Sequence, residues 1–355
     1  MLGVAVVGVG LAGSLHVNGI HELALDCERR GQRPDLRVEM LIDSDIAQLE
    51  SKASEFGIRR TAIGLASALA DPSVDVIAIA TPHTLHRDAA IDAARAGKHI
   101  VVEKPMAIAV DDATIMIEEA ERAGVVLFVA ESFTYGPMAK MLRQLLSSSA
   151  YIGELTFVSV TRGFRAEPRY EYKDRRAWLA RPAMGGSGTW LLHGIHTVAG
   201  IRYVIGEIDT VFMREHHTKS FDTLDVEGTM SGTLTTAQGL SVSLTQTCET
   251  RLADEFYGFT LYGENGTIRA GRQGADIYVT AGNGRRQQSK HVRYDSEGLS
   301  QYALEYRAFA DHVVRGEVAP TDGRSERRTL AIIQAGYESA SSGAVVNLSE
   351  RFGDI

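Results

Sequence analysis

The sequence predicts an N-terminal α/β domain built on a doubly wound parallel sheet. An α+β domain with an open-faced, mainly antiparallel sheet follows it. Three observations carry this. Apolar runs of strand length alternate with helical segments over the first 132 residues. The first run ends directly in three glycines, Gly8-Val9-Gly10-Leu11-Ala12-Gly13. Beyond residue 150 the strand signals alternate apolar with polar, as half-buried antiparallel strands do. The expected division is 1–132 and 133–355.

Val4–Val7, bounded by glycine, reads as a buried strand, and the residues after Gly13 read as a helix. In that setting Gly8 makes the tight turn, Gly10 lets a pyrophosphate approach the backbone, and Gly13 lets helix and strand pack closely. Leu11, Ala12 and Gly13 open the helix, whose N-terminus offers free N–H groups and a positive dipole end to phosphates. Dinucleotide binding is the expected function of this stretch.

The strand Arg37–Ile42 ends in Asp43-Ser44. A carboxylate there accepts hydrogen bonds from ribose hydroxyls and repels a 2′-phosphate, which favours NAD over NADP. A helix N-cap is the plainer role for Asp43. The gap from Gly13 is long, and Cys27–Asp35 reads as a loop insertion that accounts for it. The run Val74–Ala80 leads into Thr81-Pro82-His83-Thr84-Leu85-His86, with Thr84 or His83 expected to cap the next helix. The run His99–Val102 leads into Glu103-Lys104-Pro105. A lysine at a strand exit beside a dinucleotide can donate to a reacting oxygen; a surface ion pair is the plainer reading. A sixth strand, Val125–Val129, precedes Glu131.

The helix Pro137–Leu146 and a serine linker then lead to the strand Thr156–Arg162. Alternating segments Glu227–Thr236, Leu240–Glu249, Phe256–Tyr262 and Thr267–Ala270 supply further strands. Two helices, Tyr302–Arg315 and Ser325–Ser341, close the chain, with Thr321-Asp322-Gly323 as the turn between them.

GVGLAG, Ala80-Thr81-Pro82 with His86, Glu103-Lys104-Pro105, Gly194-Ile195-His196 and the turn Tyr262–Thr267 together resemble the glucose–fructose oxidoreductase/inositol dehydrogenase (Gfo/Idh/MocA) family over nearly the whole length. The resemblance implies a nicotinamide against Thr81 and Pro82, with Ala80, His83, His86 and Glu103 around the cofactor. It implies catalytic roles for Lys104 and His196. His83 stands where the family often has asparagine. The implied reaction moves a hydride between NAD, or NADP, and a secondary alcohol or ketone of a sugar, inositol or related polyol. A homodimer or homotetramer through the C-terminal sheet is also implied.

One departure stands out. Leu192 occupies the position where the family usually has an aspartate, one helical turn before His196. Leucine cannot orient an imidazole or stabilise its charged form. His193 and Glu131 are candidate replacements, with Asp222 and Asp225 weaker ones. His193 and His196, three apart on the helix Thr189–Val204, suit a metal poorly because no third ligand follows at a recognised spacing. Tyr135, Arg162, Arg165 and Trp178 are candidate substrate contacts. Because of Leu192, oxidation of cyclic cis-dihydrodiols is an alternative to polyol oxidation. A redox-neutral, NAD-retaining glycoside-cleaving enzyme and a cofactor-sensing regulator are further alternatives.

Composition narrows the field. The 355 residues are 44% hydrophobic and 23% charged, ordinary for a globular protein. A formal charge of −8 without a basic stripe argues against nucleic acid as a partner. No apolar run reaches membrane-span length, and Cys27 and Cys248 fit no zinc or redox spacing. The expectation is a cytoplasmic protein without metal, membrane or nucleic-acid partners.

Overall fold

The early apolar runs become β1 (Leu2–Val7), β2 (Leu36–Ile42), the short β3 (Thr61–Ala62), β4 (Val76–Ile79), β5 (His99–Glu103) and β6 (Leu127–Ala130). They pair in parallel in the order β3-β2-β1-β4-β5-β6 in a computed structural model. The structure describes residues 1–147, 151–165, 178–179, 181, 187–219, 226–253, 256–281, 286–295 and 298–355. All four residues of β4 are buried, as expected of a strand covered on both faces. The crossovers run through α1 (Leu11–Arg29), α2 (Ile46–Phe56), α3 (Ala66–Leu69), α4 (His86–Arg95) and α5 (Val110–Ala123). Strand order reverses between β1 and β4, so their C-terminal loops flank the switch point where such sheets bind ligands.

Two expectations shift here. Helix α1 continues to Arg29, so the long gap before Asp43 is shared between a lengthened helix and a short loop. Asp45, not Asp43, caps α2: its Oδ1 accepts the Gln48 N–H at 3.0 Å.

The chain divides into Met1–Tyr135 with Glu297–Arg327, and Gly136–Ser296 with Arg328–Ile355. The first unit therefore takes in the late helix Gln301–Arg315, which the sequence division at 132 assigns to the second domain. The reason is packing. Leu304, Tyr306, Phe309 and Ala310 join Val17, Ile20 and Leu23 of α1 and Phe128 of β6 in one buried cluster.

The second unit contains α6 (Pro137–Ser147), β7 (Leu155–Gly163), α7 (Ile195–Ile205), β8 (Ile208–His216), β9 (Thr229–Thr236), β10 (Ser241–Thr247), β11 (Gly258–Gly263), β12 (Gly266–Ala270), β13 (Gly274–Ala281) and β14 (Arg286–Arg293). Helices α8 (Gln301–Arg315) and α9 (Gly323–Ser342), the short β15 (Val346–Asn347) and α10 (Leu348–Phe352) end the chain. Among the described residues its sheet runs β14-β13-β12-β11-β7-β10-β9-β8-β15. Only β7 with β10 is parallel, so the sheet is mainly antiparallel. In β7, Val158 and Val160 are buried while Phe157 is 46% exposed, so the sheet has one covered face and one open face.

Candidate active site

The three glycines of the β1–α1 loop are glycine for three different reasons. Gly8 has φ +88°, and a Cβ there would stand 2.5 Å from the Ala80 carbonyl oxygen. A Cβ on Gly13 would stand 1.9 Å from the Gly8 oxygen, so the helix could not approach the strand. Gly10 meets nothing closer than the Gln48 side chain at 3.9 Å. Its lack of a side chain serves open space in front of the loop. Gly10 is also the N-cap of α1 and makes no side-chain capping bond, which leaves the first-turn N–H groups for an anion.

Asp43 closes this loop from β2. Its Oδ2 accepts the Val9 N–H and its Oδ1 the Asp45 N–H, both at 2.9 Å. Each oxygen keeps acceptor capacity for a ligand hydroxyl. Ser44, next in the chain, is exposed. Two buried hydroxyls at this end of the sheet, Ser14 Oγ and Thr81 Oγ1, have no hydrogen-bond partner. An uncapped helix end, an open glycine and orphaned hydroxyls fit a dinucleotide, with Gly8, Gly10, Leu11, Ala12, Gly13, Asp43 and Thr81 placed to hold one.

His83 opens a single 3-10 turn, His83–Leu85, which runs into α4; no side chain caps that helix. His86 is fully buried. Its Nε2 lies 2.9 Å from the Thr81 carbonyl oxygen and its Nδ1 3.0 Å from that of Pro105, so one imidazole ties the loop after β4 to the loop after β5. Burial lowers the pKa of this ring, against the pull of the two carbonyls.

A buried polar chain stands behind Lys104. Glu103 Oε2 accepts the Lys104 N–H at 3.1 Å, and Glu103 Oε1 lies 3.3 Å from Nε2 of His16 on α1. His16 Nδ1 pairs with the Tyr306 hydroxyl at 2.9 Å. Beside them Glu305 is 1% exposed, and its Oε2 has no hydrogen-bond partner. Burial pushes its carboxyl well above the ordinary range, and the charges of Glu103 and Glu131 add to this.

Two expected substrate contacts are core residues. Glu131 is fully buried and its Oε1 accepts the Phe133 N–H. Tyr135 is 5% exposed, stacks on Phe128 and bonds Thr321 through its hydroxyl. The aromatic ring completes the first unit's core, which the sequence pattern did not reveal.

In the second unit the histidine helix begins with a π-helical turn, Trp190–Gly194, before α7 continues as an α-helix. Such turns recur at functional sites because they re-aim side chains. Trp190 is fully buried and its indole N–H donates to the Ile333 carbonyl. His193 is half-buried, edge-on to Phe164 at 4.6 Å between ring centroids. His196 is likewise half-buried. Arg162, on β7, donates from Nε and Nη2 to the Tyr257 hydroxyl, and Arg165 is exposed just beyond that strand. Trp178 is half-buried; Asp222 and Asp225 lie outside the described residues. Among the described residues no group of three or more His, Cys, Asp or Glu side chains is placed to hold a metal ion.

With this geometry the family models agree. The model for an oxidoreductase family with an NAD-binding Rossmann fold matches residues 2–131, and the GFO/IDH/MocA C-terminal domain matches 140–269. The chain belongs to the Gfo/Idh/MocA family. This Gfo/Idh/MocA protein is an oxidoreductase that takes a nicotinamide dinucleotide. It is 28% identical over 307 residues to D-xylose 1-dehydrogenase (NADP(+)) 2 of Haloferax volcanii, covering 86% of this chain and 90% of that protein. It is 31% identical over 154 residues to 1-carboxy-3-chloro-3,4-dihydroxycyclohexa-1,5-diene dehydrogenase of Comamonas testosteroni, covering 43% of this chain and 38% of that one. Levoglucosan dehydrogenase, solved with NADH and levoglucosan, shares the fold at a TM-score of 0.86 and 21% identity, over 98% of this chain and 99% of that one.

His16 and Glu305 of this Gfo/Idh/MocA chain were not expected from the sequence. His16 had a signal: it lies on α1 three residues after Gly13. Glu305 had none, because Glu103 and Glu131, whose charges act on it, lie far away in sequence.

Proposed function

We propose that this protein is an NAD-preferring dehydrogenase or reductase of a sugar, inositol or related polyol. The observation that carries the reading is the xylose dehydrogenase match over most of both chains, on a first unit whose glycine loop and Asp43 suit a dinucleotide. Asp43 supports NAD: its carboxylate can receive the adenosine ribose hydroxyls and would repel a 2′-phosphate. Bound NAD supplies the hydride acceptor.

The chain's own residues do the rest. The helix-end N–H groups of Leu11, Ala12 and Gly13 hold the pyrophosphate. Thr81, Pro82 and His83, fixed through His86, bound the nicotinamide side together with Ala80 and Glu103. Lys104 donates to the reacting oxygen, and His196 takes or returns its proton. Arg162, Arg165, Trp178 and His193 are the substrate-side contacts in this reading. The open sheet face, where Phe157 stacks on Tyr262 at 4.1 Å, serves a homodimer or homotetramer. Cys27 and Cys248, neither in a disulfide among the described residues, suit the reducing cytoplasm.

A second reading, oxidation of a cyclic cis-dihydrodiol, is favoured by the match to the cyclohexadiene-diol dehydrogenase and by Leu192. Nicotinamide reduction on purified protein separates the two. NAD and NADP are tried separately against pentoses, hexoses, inositols, sugar acids and aromatic dihydrodiols. Turnover of a sugar or polyol with NAD is expected. Lys104→Ala and His196→Ala should each lower it at least tenfold, the ordinary weight of a general acid–base group. Turnover of dihydrodiols alone would replace the first reading with the second.

A further inference from the structure

The segment that carries His193 and His196 is held at its N-terminal end by a buried carboxylate from outside the helix. Glu227 is 4% exposed. Its Oε1 accepts the Trp190 N–H at 2.7 Å and the Tyr337 hydroxyl at 2.8 Å, and its Oε2 accepts the Gly188 N–H at 3.2 Å. The Tyr337 oxygen in turn accepts the Leu191 N–H at 3.2 Å. Two donors at the start of the helical segment are thus satisfied, one by the carboxylate directly and one through a phenol. The Gly188 and Trp190 N–H groups and the Tyr337 hydroxyl all donate to Glu227, the arrangement of an ionised carboxylate, and they oppose the burial that pushes its pKa up. Fit is close: a Cβ on Gly188 would lie 1.9 Å from the Glu227 carbonyl oxygen.

The other end is tied as well. Gln246 of β10 accepts from Thr197 Oγ1 at 2.8 Å and donates to Thr189 Oγ1 at 3.3 Å, and all three residues are buried. One amide therefore spans residues 190–196, the π-helical turn and both histidines.

We propose that Glu227 and Tyr337, seconded by Gln246, are positioning residues that set the orientation and basicity of His196, the task left open by Leu192. The carboxylate acts through the helix. It fixes the backbone from which the imidazole projects, and its charge offsets the positive end of the helix dipole, which otherwise disfavours imidazolium. The titratable group bonded to Glu227 is Tyr337 of α9, and Glu215 of β8 acts on Tyr337. The proposal rests on reading His196 as the acid–base group.

The test uses the full chain labelled with 15N-histidine, without cofactor. His196→Ala identifies the ring signal. In Glu227→Gln the His196 titration should move down by about half a pH unit, the effect of losing a charge at a helix end. Turnover of the sugar or polyol oxidised in the panel assay should fall at least fivefold while KM for NAD is unchanged. Tyr337→Phe leaves the carboxylate with its two backbone donors and should give a smaller shift in the same direction. It carries the test if Glu227→Gln does not fold. An unmoved His196 titration in a folded variant overturns the proposal, as does loss of NAD affinity in step with turnover. If His196→Ala keeps full turnover while the titration shift is present, the acid–base reading fails and the brace stands.

Discussion

The glycine loop allows one sharp separation of folding from binding. Gly10→Ala and Gly13→Ala add the same methyl three residues apart, with opposite expected outcomes. At Gly13 the new Cβ stands 1.9 Å from the Gly8 oxygen and 2.9 Å from its carbon. That is about 1.5 Å inside ordinary contact, and both atoms are backbone. The helix must move off the strand, an overpacking cost of about 3 kcal/mol or more. For a unit of this size that lowers Tm by about 6–12 °C. At Gly10 the Cβ meets only the end of the Gln48 side chain, 3.9 Å away. The cost is that of alanine at an N-cap, about 0.5–1 kcal/mol and a few degrees. The same methyl occupies the space through which a pyrophosphate reaches the helix end, so NAD affinity should fall at least tenfold. Thermal melts and NAD titration by calorimetry read the two effects separately. Equal destabilisation by both substitutions, or wild-type NAD affinity in Gly10→Ala, would refute the assignment of the three glycines.

Asp43→Ala should weaken NAD more than NADP in fluorescence titrations, because it removes the ribose acceptor and the repulsion of a 2′-phosphate together. Both cofactors should lose some affinity, since the Val9 N–H also loses its partner; equal loss of the two would count against the ribose role. Glu305 gives a pH signature. Its folded pKa is raised well above the ordinary 4.5, so above that value the unfolded chain releases a proton that the folded chain keeps. Stability then falls as pH rises from about 4.5 towards the folded value, by about 1.4 kcal/mol per unit. Glu305→Gln should flatten this part of the Tm-against-pH curve; an unchanged slope would show that Glu305 does not cause it.

Much of the first unit is local, and so it was legible. A strand buried on both faces must be continuously apolar, and a helix packed on a tight turn must lack side chains at fixed offsets. Val4–Val7 followed by Gly8, Gly10 and Gly13 satisfies both rules within a dozen residues, and Asp43 follows from where β2 ends. Alternating segments likewise announced the antiparallel sheet. Lys104 was legible as a charged residue at a buried strand's exit, whereas His196 was legible only as a motif position, by resemblance.

What the tertiary structure decided lies in pairs far apart along the chain. Helix α8 has an apolar face that the sequence shows, but nothing local says that the face packs on α1 and β6 of the first unit. Tyr306 meets His16 across 290 residues, and Glu227 meets Trp190 across 37. Periodicity reports which face of an element is buried, not against what. A carboxylate ahead of a strand looks the same in sequence whether it faces water or caps a distant helix. Only packing, which brings a buried donor within reach and leaves no water to compete, makes Glu227 a cap and Glu305 a buried acid.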